Sequence, residues 1–503
     1  MILRSDMSDE QGCSRTRRRT IVTDKSSALL AGETTGLRRF LQTLEKTPGQ
    51  GIAIVEREVE ADYQMGTIVK KMEYSDDRAV LFTAVSGHDM PVLLNLYGCK
   101  ARLAMSLGLD ADTSPSTTLD VFSDRLNNRG ETRLVEIAEV QEVIEEGDQV
   151  DLTSLPIGIH VAQQGGKYIS SGVLLARDPA TGSINGGIYR LMLQGKNTLS
   201  VSVDPGHDLG RIMAHGKENN VEIECAIVVG ADPVIFLASQ AKVHVSRDFY
   251  DVAGTLHAGG SVSVAKSVTN SLIVPSDAEI VIEGRIIPGK TAAEGPYGEF
   301  SYYYGSDPKA NFIQVDAITR RKDAIYADIH PVHTDHRALW LHPGREVSLL
   351  QRLKALVAGI TSVHIMLDGA GMIAVISMKK IHNGDSRRAL LFALASDMFI
   401  KHAIVVDDDI DICDPKRVLW ALATRFQGDR DLVVVPNVRG YMEDPSGYYL
   451  DEEEKHGKVT TKVGYDATVV LGTDFPQAAD HYSEDYRDLD PADYLKNPLK
   501  HGR

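Results

Sequence analysis

The sequence predicts a three-part α/β and β protein: an N-terminal α/β region, a central all-β domain and a C-terminal α/β domain. Two changes of hydrophobic period carry that prediction. Over residues 25–150 and again over 326–475, strand-like apolar runs alternate with helical faces. Between 151 and 325, short alternating runs divided by Gly, Pro and Asp dominate instead. A third observation sets the scale, since 503 residues hold roughly two to four domains.

The elements follow in order. Leu37, Phe40, Leu41 and Leu44 share one face of a helix over 37–44, with Thr34 or Thr35 placed to cap it and Pro48-Gly49 to end it. Ile52–Val55, Ala79–Val85 and Val92–Tyr97 read as strands, and Arg102–Leu107 as a helix. In the central part, strands are expected at Gly172–Ala176, Gly187–Leu193, Thr198–Val203, Glu222–Val229, Val234–Ala238, Ser261–Val264, Glu279–Ile287 and Phe312–Ile318, the pattern of a β-barrel or sandwich. Past Tyr326, Val347, Leu350, Leu353 and Leu356 fit one helical face. Strands at Val363–Leu367, Met372–Ser377, Ala403–Val406 and Leu432–Val435 then alternate with helices at Ser386–Ser396 and Val418–Thr424. Residues 1–24 carry Arg15, Arg17, Arg18 and Arg19 without an apolar run and read as a disordered segment, with Met7 an alternative start. Residues 476–503 form a charged, Tyr-rich tail suited to docking on a partner subunit.

Composition excludes several classes. A hydrophobic content of 43% with 25% charged residues is that of a soluble globular protein. The net charge of −16 disfavours nucleic acid and anionic membrane surfaces, both of which need a basic stripe. Cys13, Cys99, Cys225 and Cys413 are too far apart for a CxxC site or a disulfide framework, which suits a reducing cytoplasm. No run approaches the ~20 apolar residues of a membrane helix.

Five stretches carry chemistry-bearing residues. Glu294-Gly-Pro-Tyr-Gly-Glu299 reads as a stiff turn that hands two carboxylates to one place, the arrangement used when one acid holds charge and the other passes a proton. Asn185-Gly-Gly-Ile188-Tyr-Arg190 opens a strand whose arginine can fork onto a carboxylate. Asp204-Pro-Gly-His207 is a turn bearing an imidazole, which together with Asn185 and an acid suits Mn²⁺ or Mg²⁺ bridging a phosphate. Asp407–Asp411 follows a buried-looking strand and offers a metal-dependent phosphohydrolase as an alternative. The His330–His336 run matches no zinc spacing and is read as a loop placing a histidine over a pocket.

Taken in order, Asn185-x-x-x-x-Arg190, Gly195-Lys-Asn197, Gly230-Ala-Asp-Pro233, Ala278–Gly284, Glu294–Glu299, Asp408–Asp411 and Leu419–Arg425 resemble the UbiD family of reversible decarboxylases from about residue 35 to 470. The resemblance implies a split β-barrel over 151–325 that binds prenylated FMN, and a C-terminal domain over 326–475 that drives homodimerisation or higher assembly. It implies non-oxidative decarboxylation of an aromatic, heteroaromatic or α,β-unsaturated acid. The C-terminal motifs look nearest the hydroxybenzoate and heteroaromatic branch, and a non-catalytic subunit of a carboxylase complex is the competing role. Arg190, Glu294 and Glu299 match the catalytic network, with Glu299 as proton donor and Arg190 paired with Glu294. Ile188, Lys462 and Ser170 (or Ser171) match cofactor-contacting positions, and His336 a substrate-side histidine. Asn185 and His207 match ligands of a divalent ion, Mn²⁺ before Mg²⁺, that clamps the flavin phosphate with a monovalent K⁺ nearby. A flavin prenyltransferase is the implied source of the cofactor. One position departs: Phe249 stands where the family has its third metal ligand, a glutamate, leaving Asp248 as the neighbouring acid.

Overall fold

A computed structural model describes residues 34–244, 246–442, 444–451, 457–479, 489, 494 and 495. The expectations for residues 1–24 and for most of the 476–503 tail lie outside these residues. The chain begins with the helix Gly36–Lys46, whose Leu37, Leu41 and Leu44 are fully buried. Thr35 does occupy the N-cap, but its hydroxyl donates to Glu139 2.8 Å away, so the helix has no side-chain cap. A small sheet follows in the order Ala53–Val55, Val80–Phe82, Val92–Leu94, Tyr326–Ala327, and its last strand arrives from beyond the central domain.

The central sheet has nine strands. Its path runs Tyr168–Ile169, Leu191–Gly195, Thr198–Val201, Tyr304–Arg320, Ile280–Gly298, Ile223–Val229, Val173–Arg177, Ile184–Ile188, with Val143–Glu146 added on Tyr304–Arg320. Ile184–Ile188 lies at one end of this path and Leu191–Gly195 next to the other, yet only Tyr189 and Arg190 join them. A two-residue link spans at most about 10 Å between its flanking residues. The sheet must therefore curl until its two ends nearly meet, and Arg190 sits at the slit. Among the described residues, no strand pairing joins the two ends of the path.

The helical content of this region departs from the sequence reading. Val234–Ala238, expected as a strand, lies inside the helix Pro233–Gln240. Asp232 caps it by accepting the Val234 amide at 3.1 Å, and Pro233 occupies its first turn, a start signal that outweighs the β-branched residues. The helices Asp208–Asn219 and Phe249–Leu256 also pack on the sheet, and both bury an apolar stripe that a short-run reading misses.

The C-terminal region is a five-stranded sheet ordered Ile360–Ile365, Ile373–Met378, His402–Asp407, Val459–Ala467, Leu432–Arg439. Its central pairings are parallel and both outer ones antiparallel. One continuous apolar core runs from Leu37 through Val228 and Leu350 to Val405. Burial on this scale, at about 25 cal/mol per Å² of apolar surface, is the main force holding the three regions together. No helix among the described residues is long and apolar enough to cross a membrane.

Candidate active site

Glu294 and Glu299 do not lie in a free turn. They occupy the end of the long strand Ile280–Gly298 and the first position after it. In a regular strand, residues five apart point to opposite faces. Here the register slips between Ala292 and Glu294 and again between Glu294 and Tyr297, and such bulges re-aim side chains. Both carboxylates thereby reach the same side. Gly165 packs against this segment: its amide donates to the Pro296 carbonyl at 2.7 Å, and a Cβ there would stand 2.0 Å from the Gly295 oxygen. Beyond the strand, Glu299 opens a tight hairpin, its amide donating to the Tyr303 carbonyl at 2.8 Å.

Arg190 reaches both acids from the slit. Its Nε and Nη2 meet Oε1 and Oε2 of Glu294 at 2.9 Å each, a two-point fork, while Nη1 contacts Oε1 of Glu299. Glu294 is 3% exposed and Glu299 6%. Tyr168 donates its hydroxyl to Glu294 Oε1 at 2.9 Å, and its ring lies 4.7 Å from that of Tyr297. Burial first, then the Glu294 charge, pushes the Tyr168 hydroxyl above its usual range, so it remains a donor. The guanidinium lies 5.5 Å from the centre of the Tyr297 ring.

These groups border a cavity of about 420 Å³ whose lining includes Ser170, Arg190, Glu299, His336, Phe399 and Tyr441. Phe300, Trp340, Phe399 and Tyr441 form an aromatic cluster on one wall, with Phe300 4.1 Å from Trp340 and Phe399 4.8 Å from Tyr441, ring centre to ring centre. His336 bonds the Pro331 carbonyl through Nδ1, and burial lowers its pKa to about 4, leaving a neutral imidazole. A second lobe of about 340 Å³ shares Ile188, Tyr189, His207 and Trp340 with the first and adds Asn185, Lys242, Phe249 and Arg352. A larger cavity, about 640 Å³ beside Met90 and Arg320, contains none of the acid pair.

The remaining residues singled out in the sequence divide. Ile188 and His207 line both lobes, Asn185 lines the second, and Ser170 lines the first, beside Tyr297. Lys462 is 1% exposed and donates to the Leu394 and Asp397 carbonyls at 2.8 Å each. It braces the loop that carries Met398 and Phe399 into the cavity and does not line the cavity itself. Asp248 is spent as a cap, with Oδ1 accepting the Tyr250 amide and Oδ2 the Ile184 amide, both at 2.9 Å. With Phe249 apolar, Asp248 turned to backbone amides and Asp208 engaged by Arg211, Asn185 and His207 lack the one or two free carboxylates through which a hard divalent ion is bound. The Mn²⁺ or Mg²⁺ site expected from Asn185, His207 and Asp248 does not fit these residues.

Asp407–Asp411 is likewise structural. Arg425 holds Asp407 Oδ2 at 2.8 Å and both Asp409 oxygens at 2.9 and 2.6 Å, while Asp411 caps the Cys413 amide. In the histidine run, His330 stacks on His160 at 5.2 Å, and His160 pairs with Asp328 at 2.8 Å. Tyr168, Lys242 and the aromatic wall escaped sequence reading because they come from separate strands, helices and loops and share no spacing.

Comparison with known proteins agrees with this geometry. Residues 49–122, 133–333 and 340–467 match the N-terminal, Rift-related and C-terminal domains of 3-octaprenyl-4-hydroxybenzoate carboxy-lyase. The anhydromevalonate phosphate decarboxylase of Methanothermobacter thermautotrophicus is 31% identical over 438 residues, which cover 87% of this chain and 97% of that protein. The UbiD-class enzyme HmfF from Pelotomaculum thermopropionicum, solved with FMN, superposes with a TM-score of 0.84 at 32% identity, covering 92% of this chain and all of that one. An evolved dimeric form of HmfF, solved with prFMN, gives 0.80 at 31% identity, covering 92% of this chain and again all of that one. Vanillic acid decarboxylase of Sedimentibacter hydroxybenzoicus gives 0.78 at 26% identity, covering 91% of this chain and 97% of that one. Fold and matched domains together define a carboxy-lyase. The chain belongs to the UbiD family.

Proposed function

We propose that this protein removes the carboxylate of a planar, unsaturated acid as carbon dioxide, with prenylated FMN bound across the two lobes. The observation that carries the reading is Arg190 held between Glu294 and Glu299 at the slit of the curled sheet. The two lobes fit the flavin in character: one is walled by aromatic rings for a planar ring system, and the other is polar and cationic for a phosphate tail. When bound, the prenylated flavin supplies the electron sink that accepts the pair released as the carbon–carbon bond breaks.

The protein residues do the rest. Glu294 and the Tyr168 hydroxyl hold the guanidinium in one orientation, so Arg190 presents a fixed positive edge to the substrate carboxylate. Glu299 delivers a proton to the carbon that has lost carbon dioxide and regains one from solvent afterwards. The aromatic wall of Trp340, Phe399 and Tyr441 excludes water and stacks on a flat substrate. His336 faces the same lobe as a neutral imidazole suited to orienting the acid's far end.

The aromatic wall supports a substrate among aromatic, heteroaromatic and α,β-unsaturated acids. The name of the Methanothermobacter relative adds a phosphorylated acid to the candidates. A flavin prenyltransferase is the source of the cofactor. Exposed Leu391, Leu419 and Val434 on the C-terminal region support a homodimer formed there. The test is co-expression with a flavin prenyltransferase, mass analysis of the bound cofactor and carbon dioxide release across an acid panel. A loaded protein that turns over no acid in that panel overturns the reading.

A further inference from the structure

The second lobe is built for an anion, and its cation comes from the chain. Among the described residues, Lys242 makes no hydrogen bond or ion pair, yet its side chain borders this lobe together with Asn185, His207 and Arg352. Lys242 is exposed within the cleft, and the protein packed around it together with Arg345 lowers its pKa, although Asp397 and Asp208 oppose them. Its charge in turn helps depress that of His207, behind burial. Arg352 spends one nitrogen on the Ser396 carbonyl at 2.7 Å, and Arg247 is occupied by Asp251 and the carbonyls of Leu126 and Asn128.

Among the described residues, Asp208 is the one carboxylate lining the lobe. Asp248 caps two backbone amides, and Asp208 is engaged by Arg211. Phe249 fills the remaining side, its ring pressed so closely on the strand above that a Cβ on Gly186 would stand 2.4 Å from Cδ2. A divalent cation entering here meets two neutral ligands, an aromatic ring and a standing positive charge. A phosphate dianion meets the reverse.

We propose that Lys242 takes the place of a divalent metal ion in this protein, receiving the phosphomonoester of the flavin directly, so that cofactor binding needs no divalent metal. This rests on the flavin reading above and departs from it only in how the phosphate is held. An ammonium group donates up to three hydrogen bonds to phosphate oxygens and needs none of the carboxylates that a metal would require.

The test is FMN binding by the full-length protein, followed by quenching of flavin fluorescence, with riboflavin as the ligand that lacks the phosphate. Wild-type protein is expected to bind FMN equally with and without EDTA, and to contain well below one equivalent of divalent metal by elemental analysis. Lys242→Met is expected to weaken FMN about 30-fold, the worth of one charge-assisted hydrogen-bonded contact, while leaving riboflavin binding nearly unchanged. Lys242→Arg is expected to retain most of the FMN affinity. EDTA-sensitive FMN binding restored by Mn²⁺ overturns the proposal while leaving the decarboxylase reading intact, and needs no variant that might misfold. Equal losses of FMN and riboflavin in Lys242→Met overturn it as well. Wild-type protein that binds no flavin under any condition overturns both.

Discussion

Arg190 meets Glu294 through two parallel contacts of 2.9 Å and touches Glu299 with its third nitrogen. The two acids are thus chemically unequal. Glu294 has both oxygens on the guanidinium and a tyrosine hydroxyl besides, whereas Glu299 makes a single contact and faces the aromatic-walled cavity.

Glu299→Gln keeps the volume and removes the proton. Decarboxylation is expected to fall at least ~10²-fold, the usual scale of general acid catalysis. Flavin binding, read by absorbance, is expected to survive. Wild-type-like turnover in this variant removes Glu299 from the proton-donor role.

Arg190→Lys preserves the charge and loses the fork. An ammonium cannot bridge both Glu294 oxygens in one plane, so the substrate carboxylate loses its fixed partner. Turnover is expected to drop by about 10²-fold with a smaller effect on unfolding. The comparison of kcat with thermal stability separates misorientation from collapse.

Gly165→Ala places a methyl group where the Gly295 carbonyl already stands. Backbone must move, and the segment that moves carries Glu294. A destabilisation of about 1–3 kcal/mol is expected, together with lower activity, from the cost of overpacking. Denaturant unfolding and turnover measured on the same sample test both parts; unchanged values in each contradict the close packing.

Removing Arg425 strands two carboxylates. Arg425→Ala leaves the partly exposed Asp407 and half-exposed Asp409 without their common cation, and about 1–2 kcal/mol of stability is expected to go. The site chemistry lies elsewhere, so turnover per folded molecule is expected to stay near wild type. A selective loss of activity would assign that acid run a functional part.

The contribution of His333 and His336 to stability is expected to fall with acidification between about pH 6.5 and 4, against an opposite contribution from Asp277 and Asp335, which burial raises to about 7. His333 and His336 are both held at about 4 by burial, so across that window the unfolded chain binds protons that the folded chain refuses. The histidine contribution therefore rises with pH there, by up to about 1.4 kcal/mol per pH unit for each histidine. Unfolding midpoints across a pH series check this, and His336→Phe is expected to remove its share of that rise.

Much of this was legible from the amino acids alone. The change of period located the β region, and the ordered motifs identified the family and led to Arg190, Glu294 and Glu299. Local chemistry suffices there, because a Gly-Pro-interrupted acid pair and an Asn-Gly-Gly strand start are properties of contiguous residues. Short apolar runs were the weak point. Val234–Ala238 looked like a strand, and only the capping Asp232 with Pro233 makes it a helix.

What the tertiary structure decided was which residues meet. Glu294 and Glu299 share a side because two register slips in pairing with Tyr304–Arg320 turn them there, and pairing is a non-local matter. Tyr168 reaches Glu294, and Lys242 reaches the second lobe, only because the sheet curls until its ends nearly join. The same geometry answered the question that Phe249 raised. The sequence showed a metal ligand replaced by an apolar residue; the fold showed Asp248 already spent on two backbone amides and an unpaired ammonium in the lobe. Spacing along the chain carries no information about such encounters, because they are set by strand order and curvature.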